Sequence, residues 1–285
     1  MRETKRRKDM KKKFVAIVAV AAALVLCFGI LAGCSGNSSK AKYTLLNETL
    51  QDEHFAVAFK LGDTELADAI DQGIANVDKE GTVKKLCEKY GIDYAKAWCF
   101  KAPATAVDTS GFKGKTLKLG FDNEFPPMGF VGSDGKDTGF DLELAKAVCD
   151  NLGMTLEAQA IDWNAKDSLL ESGVINCIWN GFTAEGRESA YTLSTNYMTN
   201  TQTIAVKAGS PIKSSADLKG KNVVTQSGSA AFELLEGDLA SLKATFGNVA
   251  SVPSYMDALM QVDSGAADAV IGDSVLLQYY IANSK

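Results

Sequence analysis

The chain has 285 residues, enough for one large or two medium domains, with an ordinary hydrophobic share of 46% and five prolines. Its 30 basic and 35 acidic side chains are unevenly placed: residues 1–33 hold 8 basic and 2 acidic groups, leaving 22 and 33, a balance of −11 that argues against nucleic acid as a partner. His54 is the only histidine and no CxxC or His/Cys cluster is present, so histidine-based catalysis lacks a second imidazole, no metal site is suggested and no cofactor is expected.

The first stretch is a basic block from Arg2 to Lys13 followed by an uncharged apolar run over 14–33. That pattern is a secretory signal, with a transmembrane anchor as the alternative given the length of the run. Leu31-Ala32-Gly33-Cys34 resembles the lipobox of bacterial lipoproteins, which implies a signal peptide over residues 1–33 and acylation of Cys34. Residues 34–42, rich in Ser, Gly and Asn, read as a flexible tether.

Short strands are expected at 43–46 and 55–60. An amphipathic helix then starts near Glu65, capped by Asp63 or Thr64, with Leu66, Ala69, Ile70, Ile74 and Val77 at helical spacing. Gly81 breaks it, a shorter helix ends at Gly91, and 101–113 is linker-like. A new alternation follows: strand 117–121, loop 122–128, a helix capped by Asp141, strand 156–161, a helix over 165–171 and a buried strand 174–179. An extended run at 201–206 leads to a second alternation with strands 222–225, 248–252 and 267–273, and helices 230–239, 256–264 and one through Tyr280. Strands alternating with helices imply parallel sheets whose ligand site lies beyond the strands' carboxyl ends. Two α/β lobes joined by extended segments form a cleft. Of the cysteines, Cys149 and Cys177 fall on buried faces as free thiols, whereas a Cys87–Cys99 disulfide stays open.

The organising stretch is Asn180-Gly181-Phe182-Thr183-Ala184-Glu185-Gly186-Arg187. A strand ending in a glycine and a small hydroxyl, with a guanidinium a few residues on, gathers a carbonyl, a hydroxyl and a bidentate cation around one point. That set suits a free α-amino acid.

Residues 116–285 resemble the polar amino acid substrate-binding proteins of bacterial ABC importers, solute-binding family 3. The resemblance lies in Gly120-Phe121-Asp122-Asn123-Glu124-Phe125-Pro126-Pro127-Met128, Gly139-Phe140-Asp141-Leu142-Glu143-Leu144-Ala145, the octapeptide, Ala216-Asp217-Leu218-Lys219-Gly220-Lys221, Gln226-Ser227-Gly228-Ser229 and 267–273. It implies an α/β, two-lobed periplasmic-binding-protein-like type II fold, each lobe a sheet flanked by helices. One thing is out of order. The family's return crossover and closing helices do not follow Asp273, whereas Glu53-His54-Phe55-Ala56-Val57-Ala58-Phe59-Lys60 and residues 62–91 resemble them. A circular permutation accounts for this, with 101–113 bridging the old termini; the competing reading is a remnant of a tandem copy. Lobe 1 is then 56–203, and lobe 2 combines 43–55 with 204–285.

By the same resemblance, Arg187 takes a ligand α-carboxylate, helped by backbone N–H groups of Thr183, Ser229 and Ala230. Asp273, the Thr183 hydroxyl and the Gly181 carbonyl hold its ammonium. Asp273 and Ser229 also have a plainer reading as helix caps. Asp122, Phe125, Trp163 and Gln226 line the side-chain pocket, the two aromatics against the ligand's stem. A carboxylate at Asp122 repels an acidic side chain, which favours glutamine or a basic amino acid, with cystine open. The expected protein is a monomeric, lipid-anchored receptor at the outer face of the cytoplasmic membrane, not an enzyme, with ABC permease and ATPase subunits as partners. The alternative is a cyclohexadienyl dehydratase-like enzyme on the same fold, with Glu124 as its candidate acid.

Overall fold

The computed structural model describes residues 41–283; the expected leader and Cys34 lie outside them. In chain order the elements are β1 (Tyr43–Lys60), α1 (Thr64–Lys79), α2 (Thr82–Tyr90), α3 (Tyr94–Ala97), β2 (Thr116–Phe121), β3 (Glu124–Phe125), β4 (Gly129–Val131), β5 (Asp137–Thr138), α4 (Phe140–Leu152), β6 (Thr155–Ala160), α5 (Lys166–Glu171), β7 (Cys177–Thr183), β8 (Tyr191–Leu193) and β9 (Met198–Lys207). They continue with β10 (Asn222–Gln226), α6 (Ala230–Glu236), α7 (Ala240–Lys243), β11 (Asn248–Val252), α8 (Tyr255–Ser264), β12 (Ala269–Asp273) and α9 (Ser274–Asn283).

Most strands join one sheet in the order β11-β10-β12-β9-β1-β7-β2-β6, with β8 on β1. Each end of the sheet is a parallel triplet, β6-β2-β7 at one end and β12-β10-β11 at the other. The antiparallel strands β1 and β9 join the triplets. The sheet is therefore mixed, where the alternation alone implied parallel pairing.

Strand β1 is one element of 18 residues, not the two short strands expected, because register shifts near Leu45 and Thr49 let it absorb the polar stretch between them while staying paired with β9. Its second half passes to β7, with Phe55 opposite Thr183 and Phe59 opposite Cys177. Phe55, Val57 and Phe59 are fully buried in the core formed with α1, α2 and α4. On α1, Ile70 and Ile74 lie on that buried face. Each such side chain stabilises the packing by about 1.5–3 kcal/mol.

Three boundaries differ from expectation in ways that matter for the site. The buried strand begins at Cys177 and runs through Thr183, so Asn180 to Thr183 are strand, not loop; exposed Val174 and the left-handed Gly173 belong to the turn before it. Asp141 is not a cap: α4 starts at Phe140 behind Gly139, and the Asp141 side chain points into the core. Helix α6 ends at Glu236, ahead of Gly237, so it has seven residues instead of ten. Asp63 occupies the position before α1 but makes no side-chain cap. Cys87, Cys99, Cys149 and Cys177 are free thiols.

Candidate functional site

The end of β7 is held rigidly. Gly181 has φ +57°, a conformation that disfavours any Cβ, and a Cβ there would lie 2.9 Å from Phe125 Cε1. Its N–H donates to Asp141 Oδ2 at 2.7 Å, and the Tyr197 hydroxyl donates to the same carboxylate at 2.9 Å. Burial pushes the Asp141 carboxyl up to about 7, the hydrogen bonds opposing it only in part. The result is a strand end that presents Thr183 at a fixed place.

Arg187 follows on the turn after β7 and is buried, 6% exposed. Its guanidinium stacks over Phe182, 4.4 Å from the ring centroid, and Nη1 donates to the Thr183 carbonyl at 3.4 Å. Nε donates to Glu233 Oε2 on α6, at 3.0 Å. Nη2 is buried and makes no hydrogen bond. The guanidinium is thus buried and partly engaged, with one nitrogen left over.

At the end of β2, Asp122 is buried and accepts from the Glu124 N–H at 2.8 Å and from Gln226 Nε2 at 2.6 Å. Burial raises its carboxyl above the ordinary range. Gln226 Nε2 also donates to the Pro253 carbonyl at 3.0 Å, so both its hydrogens are used and only its oxygen is left for a ligand. Phe125 sits edge-on to Tyr255 with centroids 6.0 Å apart. Trp163 packs on Phe182 at 6.3 Å, with Lys166 Nζ 5.5 Å from its ring centroid. Lys166, buried on α5, donates to the Gly228 carbonyl at 3.2 Å, and burial lowers its pKa. Asp122 to Gln226, Lys166 to Gly228 and Arg187 to Glu233 are polar contacts that join the two halves of the sheet, beside the Phe125–Tyr255 ring contact.

On the opposite half, the Ser229 hydroxyl accepts from Phe232 N–H and caps α6, while its own N–H bonds the Gln226 carbonyl at 3.4 Å. The Ser229 side chain is thus a helix cap, the plainer of its two readings. Asp273 ends β12, 3% exposed, beside a second buried carboxylate, Glu53 of β1, 1% exposed. Asn200 Nδ2 donates to both, at 2.6 Å to Glu53 and 2.9 Å to Asp273. The Thr183 hydroxyl donates to Glu53 Oε2 at 3.1 Å. Thr183 and Arg187 on one side thus meet Asp273 on the other, through Glu53. Glu53, Lys166, Asn200, Gln202 and Tyr255 were not among the expected site residues.

A family model for bacterial extracellular solute-binding proteins, family 3, matches residues 117–273, more than half of the chain. The chain belongs to this family. The L-cystine-binding protein TcyJ of Escherichia coli K12 is 35% identical over 111 residues, which cover 38% of this chain and 42% of TcyJ. The arginine-binding extracellular protein ArtP of Bacillus subtilis is 29% identical over 189 residues, 65% of this chain and 72% of ArtP. Among solved structures, an ABC uptake transporter substrate-binding protein from Streptococcus pneumoniae with bound histidine superposes with a TM-score of 0.57 at 34% identity, covering 59% of this chain and 70% of that one. The fold of this family-3 member is the α/β fold of type II periplasmic binding proteins, and the chain spans about two-fifths of the length of the cystine-binding relative.

Proposed function

We propose that this chain is a receptor for a free polar amino acid, tethered by lipid at Cys34 to the outer face of the cytoplasmic membrane, that delivers its ligand to the permease and ATPase of an ABC importer. It binds and does not transform its ligand. The observation that carries the reading is that Arg187 and Asp273, from opposite halves of the sheet, are both buried and linked by contacts through Thr183, Glu53 and Asn200. A zwitterion needs separate partners for its two charges, because burying either unpaired costs several kcal/mol. Arg187, with Nη2 unspent, serves the carboxylate; Asp273 serves the ammonium.

The far end of the crevice offers acceptors, the Asp122 carboxylate and the Gln226 oxygen, and both Gln226 donors are spent on the protein. Such an end suits a side chain that donates, a guanidinium, ammonium or imidazole first and an amide second; cystine offers an ammonium there as well. The cystine- and arginine-binding relatives and the histidine-bound structure are in keeping with this choice. Binding begins on the half that carries Asp122 and Arg187, and the other half closes over it by bending at β1 and β9. Calorimetry against the twenty amino acids tests the reading: at least one should bind, and Arg187→Ala should weaken it at least a hundredfold. Full affinity in that variant overturns the carboxylate assignment.

The order of elements further supports a circular permutation. Residues 43–60 run as one strand between β7 and β9, and α1 and α2 pack against α4. Reordering the gene so that 43–100 follows 101–285 should give a protein with the same affinity; loss of folding in that chain would favour the tandem-copy reading.

The dehydratase alternative needs an acid in the crevice. Glu124 is exposed and does not supply it, so the Glu53–Asp273 pair is the group that could. Conversion of prephenate or arogenate by the purified protein would establish that reading over the receptor.

A further inference from the structure

We propose that Glu53 is a second carboxylate of the ammonium subsite, sharing one proton with Asp273, and that the arriving ligand ammonium displaces this proton to solvent. The inference rests on the amino acid receptor reading.

The geometry follows from the sheet. Strand β9 lies between β1 and β12, and the registers set Glu53 opposite Asn200 and Asp273 opposite Gln202. Asn200 and Gln202 are two residues apart and so share a face. Their amides converge on the two acids: Asn200 Nδ2 bridges Glu53 and Asp273, and Gln202 Nε2 donates to Glu53 Oε1 at 2.9 Å. The Asn200 amide cannot turn over, because its oxygen already accepts from the Ser274 hydroxyl at 2.8 Å and the Val275 N–H at 3.2 Å. The pair is thus a built arrangement.

Charge decides what it can hold. Two ionised carboxylates sharing one amide, away from water, repel each other strongly unless a cation or a proton lies with them. Facing them are Thr183 from β7, Arg187 from the following turn, Asn200 and Gln202 from β9, Tyr255 from α8 and Ser274 from α9. Arg187 is the one cation in that set, and its own hydrogen bonds go to Glu233 and the Thr183 carbonyl. Burial and the charge of Glu53 hold the Asp273 carboxyl well above the usual range, in keeping with a retained proton.

Orphaned atoms around the pair point to a ligand. The Tyr255 hydroxyl is fully buried and makes no bond of ordinary geometry, its neighbours being the Thr225 and Ser229 side chains, and it packs where a Cβ on Gly272, the neighbour of Asp273, would lie 2.9 Å from its oxygen. Gln202 Oε1 is likewise buried and accepts nothing, although its partner atom is already bound to Glu53. An ammonium carries three donors and can serve both acids and a neutral oxygen together. One proton leaves as one ammonium arrives, so the net charge of the subsite is unchanged.

The proton is counted by calorimetry in buffers of different ionisation enthalpy, with each of the twenty free amino acids as probe, between about pH 8 and about pH 5. Because Asp122 is also buried and could titrate against a basic side chain, the count is taken in Asp122→Asn as well. The expected result is release of close to one proton per ligand in that variant at the acid end, with affinity falling up to about tenfold per pH unit as the pH drops. Adding Glu53→Gln, which keeps the size and a hydrogen-bonding oxygen, should abolish release while binding persists; Asp273→Asn should abolish it from the other side. An amino acid that binds wild type with no proton released overturns the proposal and leaves the receptor reading standing. Equal release with and without Glu53 does the same. Binding of none of the twenty takes down both.

Discussion

Arg187 Nε lies 3.0 Å from Glu233 Oε2, so an acid from the far half of the sheet occupies one arm of the guanidinium that the site needs for a carboxylate. Bidentate recognition uses two neighbouring N–H groups, and here Nη2 is unspent while Nε is engaged. A ligand carboxylate that takes the side-on fork of Nε and Nη2 displaces Glu233. The Glu233 side chain is 49% exposed, so the ion pair is worth no more than about 1 kcal/mol. Glu233→Gln should therefore tighten ligand binding by about two- to fivefold in a titration. Weaker binding in this variant would show that Glu233 holds the crevice together instead of competing for Arg187.

Asp122 should decide between side chains. It accepts from Gln226 at 2.6 Å and is buried. A charged hydrogen bond to a guanidinium or ammonium at this end contributes roughly 1.5–3 kcal/mol. Asp122→Asn should then lower affinity for L-arginine by about ten- to a hundredfold and change L-glutamine much less, since an amide meets an amide equally well. A parallel loss for both amino acids would place their side chains elsewhere.

Much of the site could be read from residue order. Thr183, Gln226 and Asp273 each close a strand of a parallel triplet and Asp122 directly follows one, and the carboxyl ends of such strands are where ligands sit. Glu53 was hidden because Gln51-Asp52-Glu53-His54 reads as a solvated run; only the pairing with β9 turns that residue inward. The signal was present in its parity, since Glu53 keeps step with Phe55, Val57 and Phe59. Asn200 and Gln202 carried a similar period-two signal. Lys166 gave none, because a lysine opening a short helix looks like surface, and its burial comes from the opposite half of the sheet reaching Gly228. The length of the octapeptide's strand was missed for a related reason: an apolar run ahead of a glycine looks like its end, and Gly181 continues the strand with a left-handed φ.

That glycine is a sharp test of the packing. Gly181→Ala forces a Cβ to within 2.9 Å of Phe125 Cε1 and 3.3 Å of the Phe55 ring, at φ +57°. Strained backbone and overpacking each cost about 1–3 kcal/mol. Thermal unfolding should shift down by several degrees or more for a domain of this size. An unchanged midpoint would mean that the aromatic pair moves aside freely.

Asp141 predicts how stability follows pH. Its carboxyl is fully buried and pushed up to about 7, whereas in the unfolded chain it titrates near the ordinary value. Between those two values the folded protein keeps a proton that the unfolded chain has released, so the native state binds more protons and stability declines with rising pH. The contribution is complete below the unfolded pKa, about 4, and is lost as the pH climbs through about 7. Its span is of the order of a few kcal/mol. Asp141→Asn cannot ionise, yet its oxygen can accept from the Gly181 N–H while its amide faces the Tyr197 hydroxyl, which can turn to accept. Denaturant midpoints across this range should fall with pH in the wild type and fall less steeply in the variant, the gap closing toward acid. If the two curves run parallel, the carboxyl carries its charge in the folded state, and the N–H of Gly181 with the hydroxyl of Tyr197 offsets its burial.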